Sequence, residues 1–147
     1  MRFILLLCAL LTGCLFVPFI QAANDVGVTS GSRRVKLGET VKKYEEAVYW
    51  GNIGDALALV APEKRDDMQR HFSALGRRAQ VVSTNVVSTS FDDETNRGRV
   101  VVATKRYAKS SLVVTESFEE QLWVFSLGDG WQLHDTHSMT EEEAIGS

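Results

Sequence analysis

The chain changes its hydrophobic period once, near Gln80, and that single switch limits the folds open to it. Before it, apolar residues recur at helical spacing; after it, Val, Thr, Ser and aromatic residues dominate to the end of the chain. In Val35–Trp50, the residues Leu37, Val41, Tyr44 and Val48 fall on one helical face, with Lys42, Lys43, Glu45 and Glu46 assigned to the other. Gly51 suits a C-cap, because it enters the left-handed region without a Cβ penalty. Asn52 can then cap a short helix through Ala56, Leu57, Leu59 and Val60. Pro62 suits the first turn of a third helix, with Glu63, Asp66 and Asp67 near its positive end. Met68, Phe72 and Leu75 form the stripe of that helix, and Gly76 is expected to end it. Four strands are predicted next, at about 80–91, 97–109, 112–127 and 130–138. Asp92–Asn96, Lys109–Ser111 and Gly128–Gly130 carry turn chemistry. Three helices followed by an antiparallel meander give an α+β domain, with the helices packed on one face of a curved four-stranded sheet.

The start of the chain has a different character. Arg2 is followed by an unbroken apolar run from Phe3 to Leu11, the pattern of an export signal. As a membrane span the apolar stretch to Ile20 is short, and Thr12, Gly13 and Pro18 interrupt it. Leu11-Thr12-Gly13-Cys14 resembles a bacterial lipobox, which implies a lipid on Cys14. Leu15 after the cysteine, where sorting would otherwise read Asp, implies the outer membrane, facing the periplasm. The alternative is cleavage near Ala22 by ordinary signal peptidase, which gives a soluble periplasmic protein. The expected organisation is therefore an export signal over 1–23, a tether over 24–34, a domain over 35–138, and an acidic flexible tail over 139–147.

Charge and cysteine placement exclude several classes. The 147 residues carry a formal net charge of −3 with the signs well mixed, so a nucleic-acid partner is not expected. Both cysteines, Cys8 and Cys14, precede the domain, so it has neither a disulfide nor a thiolate metal site. Stability must come from packing. A Gly-rich phosphate loop, a Ser nucleophile elbow and a His-Glu-x-x-His helix are all missing, and no cofactor is expected.

The segment Trp50–Pro62, with an aromatic and a Gly before an acidic, Ala/Leu-rich helix, resembles the helix junction of the nuclear transport factor 2-like (NTF2-like) superfamily. Gly130–Ser138 looks like the last strand of that superfamily, and the likeness in element order runs over about 35–138. The resemblance implies a cone-shaped α+β domain with a pocket between the helices and the concave sheet. The superfamily hosts steroid isomerases, dehydratases and polyketide cyclases alongside many non-enzymes, so the fold does not choose a function. Tyr44, Trp50, Tyr107 and Trp131 are the candidate pocket residues.

Asp135 and His137 are the candidate catalytic pair. Strand alternation puts both on the face of Trp131 and Leu133, with His134 on the other. The first expectation is a non-catalytic envelope lipoprotein that binds a protein partner or a small apolar ligand. The alternative is an isomerase or dehydratase using Asp135 and His137. Leu122, Trp123, Val124, Phe125 and Leu127 make the third strand apolar on both faces, which predicts a homodimer through the outer sheet face.

Overall fold

The computed structural model describes residues 29–146. The expected export signal, with Cys14, and the part of the expected tether before Thr29 lie outside the described residues. The elements run α1 (Ser30–Trp50), α2 (Ile53–Ala58), a 3-10 turn (Pro62–Lys64), α3 (Arg65–Arg78), β1 (Ala79–Asp92), β2 (Arg97–Ala108), β3 (Val114–Ser126), β4 (Gly130–Met139) and α4 (Glu141–Gly146). The strands form one antiparallel sheet in the order β1-β2-β3-β4.

The three N-terminal helices are present, and the observed elements correct the expectation in three places. First, α1 begins at Ser30, inside the expected tether. Thr29 and Ser32 cap it reciprocally, each side chain bonding the other's backbone N–H. Arg33 and Arg34 also anchor this turn. Their guanidinium groups lie over the rings of Phe125 and Phe91 at 5.4 and 5.3 Å. Second, Gly76 does not end α3, which continues to Arg78 and passes directly into β1. Third, the acidic tail is not frayed. Thr140 and Glu143 form a second reciprocal cap, and Ala144 of α4 is 2% exposed against β3.

Gly51 ends α1 as expected, in the left-handed region at φ 73°. One face of the sheet supplies Val100, Val102, Trp123, Phe125, Trp131 and Leu133 to the core. The helices supply Leu37, Val41, Tyr44, Ala56, Val60 and Phe72. Leu37 packs down onto Gly98 of β2. The free edge of β4 is partly closed by the chain after α2. Leu133 donates its N–H to Leu59 O and accepts from Ala61 N, both at 2.9 Å.

The opposite sheet face is also partly covered. Val101 and Ala103 alternate away from the helices, yet they are 3% and 6% exposed. The helices α1–α3 lie on the other side, and α4 packs against the neighbouring strand β3. Leu122 and Val124, expected to meet a second molecule, are half-buried within the single chain.

Candidate functional site

Two features share the helix-facing side of the sheet: a largely buried polar cluster, whose Glu45 borders a groove between α1 and β1, and a small apolar cavity. The cluster starts from Glu45. It sits one turn after Val41, so it falls on the buried stripe of α1 rather than on the charged face assigned to it, and it is 8% exposed. Glu119, Gln121 and Trp123 alternate onto the same inner face of β3. Gln121, 1% exposed, donates from Nε2 to Glu45 Oε1 at 2.7 Å and to Glu119 Oε1 at 3.5 Å. Its Oε1 accepts from Trp123 Nε1 at 3.1 Å. One amide thus ties together two carboxyl groups and an indole.

Burial disfavours the charged form of these groups. It pushes the Glu45 carboxyl up to about 7, and the nearby Glu119 adds to the shift. The Gln121 and Thr84 hydrogen bonds and the charge of Arg106 oppose it. Glu119 is raised by burial as well, against the Gln121 hydrogen bond and the charges of Arg106 and His71. Burial also pushes the Tyr44 phenol up, helped by both glutamates. Sequence reasoning missed this cluster because its members lie far apart in the chain. The visible signal was a Glu at the i+4 position of a buried valine.

The centre of the cone is filled. Tyr44 meets Trp123 edge-on, at 5.6 Å and 84°, and Phe72 at 6.4 Å. The open space lies at the mouth. There the end of α1, the start of α2, α3, and the adjoining parts of β1 and β2 enclose a cavity of about 260 Å³. Val48, Tyr49, Trp50, Ile53, Phe72 and Leu75 supply much of its wall, with Arg106 and Lys109 at its polar side.

The expected pocket residues therefore separate. Trp50, 68% exposed, borders the cavity. Tyr44 is core. Tyr107 alternates away from Arg106, to the outer face. Trp131 lies in a different cluster, with Phe91 at 5.6 Å and Phe125 at 5.5 Å, and donates to Arg33 O at 2.8 Å.

Asp135 and His137 do meet, Oδ2 to Nε2 at 3.3 Å, but not on the expected face. Leu122 pairs with Asp135 while its neighbour Trp123 pairs with Leu133, so His134 is the extra residue of a β-bulge. The bulge reverses the phase of alternation. Asp135 and His137 then share the outer face with Leu122 and Glu120, and Thr136 takes the inner one. His134 turns to the β4 edge, its Nδ1 3.4 Å from Glu63 Oε1. Of the three glutamates of β3, Glu119 faces inward. Glu116 and Glu120 pair outside with Lys105 and Arg99 at 3.9 and 3.8 Å. Among the described residues no three His, Cys, Asp or Glu side chains are grouped to hold a metal ion.

No protein-family model matches the sequence, and no curated protein matches it. Among solved structures, the chain is similar to a ketosteroid isomerase-like protein from Erwinia carotovora atroseptica. The TM-score is 0.54 at 15% identity, over 70% of this chain and 93% of that one. A weaker likeness, TM-score 0.47 at 9% identity over 72% and 95%, is to the intermembrane space region of the chloroplast protein ARC6. Helices packed on a curved four-stranded antiparallel sheet, together with the first of these matches, make the fold NTF2-like.

Proposed function

We propose that this chain is exported to the cell envelope, is held at the outer membrane by lipid on Cys14, and binds a small, largely apolar ligand at the mouth of its cone without transforming it. The cavity lining carries the reading. It combines apolar side chains with a few polar groups, as ligand sites do. Yet among the described residues it presents no carboxyl, imidazole or thiol to act as base or nucleophile.

The test is a titration with 1-octanol, followed by the fluorescence of Trp50 at the cavity rim. Saturable binding that Leu75→Trp abolishes, by filling the space from α3, supports the reading. A linear response without saturation contradicts it. The anchor is tested separately by Cys14→Ser and membrane fractionation. Release from the membrane is the expected result, and unchanged mass and location would favour cleavage near Ala22. Homodimerisation, through whatever the outer sheet face leaves open once α4 is seated, belongs to the same proposal. A monomer mass in sedimentation at micromolar protein would remove it.

One observation favours a second reading. Glu45, with its carboxyl pushed up to about 7, borders an open groove of about 660 Å³ between α1 and β1, beside Lys42 and Thr84. A carboxyl tuned to neutral pH suits proton abstraction next to a carbonyl. The similar Erwinia protein is described as ketosteroid isomerase-like. Deuterium exchange into a steroid ketone, present with the unaltered protein and lost in Glu45→Gln, would replace the first reading with this one.

A further inference from the structure

Arg106 is poorly partnered for a residue placed where it is. It enters the cavity from β2, on the face of Val102 and Thr104, and is partly buried. A guanidinium group has five N–H donors and keeps its charge at any ordinary pH. Among the described residues this one makes a single hydrogen bond, to Ser117 Oγ, and forms no ion pair. Its Nε is sealed from solvent with no acceptor facing it. A buried charged donor left in that condition is costly and calls for an explanation.

The surroundings point one way. The other cation at the cavity, Lys109, is turned to Gly76 O at 2.9 Å. Among the described residues no acidic side chain lines the space, and the two charged ones that do are both cations. The buried carboxyls of Glu45 and Glu119 feel the Arg106 charge, but they hydrogen-bond Gln121 and form no ion pair with the guanidinium. The remaining wall is apolar. At about 260 Å³ the cavity falls just under the roughly 300–1,000 Å³ that accommodates drug-sized molecules.

We infer that the cavity takes small apolar carboxylates, with the hydrocarbon against Val48, Trp50, Ile53 and Leu75 and the carboxylate on the Arg106 guanidinium. This rests on the ligand-binding reading above and names the class of ligand. The guanidinium keeps its charge and carries further N–H donors on its terminal nitrogens, so a carboxylate in the cavity can pair with those while Nε stays sealed behind them. A neutral alcohol of the same shape fills the apolar wall but offers the guanidinium one uncharged acceptor in place of two charged oxygens.

Calorimetric titration of the protein, isolated from cells expressing the full chain, with octanoate and with 1-octanol separates the two ideas. Octanoate is expected to bind at least about tenfold more tightly, the scale of one charge-assisted hydrogen bond in a dry site. Arg106→Met should remove the preference while keeping octanol binding, and Arg106→Lys should retain part of it. Equal affinity of the unaltered protein for the two probes overturns the carboxylate assignment and leaves the ligand-binding reading standing. Binding of neither probe overturns both. The comparison on the unaltered protein decides the question even where Arg106→Met does not fold.

Discussion

Glu45 shows how one residue couples the interior to the solution. Its folded-state pKa lies above the ordinary 4.5, so the folded protein holds this proton more tightly than the unfolded chain does. The contribution is complete below about pH 4.5 and is lost as the pH rises through about 7. Glu45→Gln is neutral throughout and keeps an oxygen to accept from Gln121. Relative to the unaltered protein, it is expected to gain up to about 3 kcal/mol on going from pH 5 to pH 8. Urea unfolding at the two pH values checks this, and a stability difference that does not change with pH contradicts it.

Gly98 is a second residue whose role is set by one contact. A Cβ there would stand 2.4 Å from Leu37 Cδ2, and Leu37 is fully buried. Gly98→Ala should therefore cost about 1–3 kcal/mol by overpacking. In a Leu37→Ala background the added methyl has space, so the two costs should fall short of additive in a double-mutant cycle.

At the scale of elements, the correction at the end of the chain has a local cause. The acidic run Glu141–Glu143 reads as solvated tail by composition. Thr140 and Glu143 nevertheless close a cap, and Ala144 finds a buried place. Deleting 141–146 should remove buried Ala144 and uncover the part of β3 that α4 packs on, and cost about 1–3 kcal/mol, at the usual value of buried apolar area. Chemical denaturation checks it, and unchanged stability would mean that α4 covers nothing.

The helix stripes, Gly51 and all four strands were legible because each is a periodic or local signal. The bulge at His134 was not, because nothing in Leu133-His134-Asp135 marks an extra residue. That one residue is enough to move Asp135 and His137 to the other face. The polar cluster was hidden for the opposite reason. Its chemistry is obvious residue by residue, but Glu45 and Gln121 are 76 positions apart and only the fold joins them.

For the whole molecule, the governing fact is where the cone is full and where it is not. Leu37, Tyr44, Trp123 and Leu133 occupy the interior, and the Glu45–Gln121–Glu119 cluster saturates its polar groups there. The remaining space is displaced to the mouth, where the wall is apolar and one guanidinium is short of partners. A chain without an intradomain disulfide relies on that packed interior, so losing a large core side chain should be severe. Leu133→Ala is expected to cost about 2–5 kcal/mol in urea unfolding. A loss below about 1 kcal/mol would mean the interior is looser than described.

The most direct test is methyl and indole chemical-shift mapping by NMR as 1-octanol is added. Saturable shifts at Val48, Trp50, Ile53, Leu75 and Val81, with Trp123 and Leu133 unmoved, are the expected result. Shifts centred on Trp123 and Leu133 would place the ligand inside the cone and contradict the account.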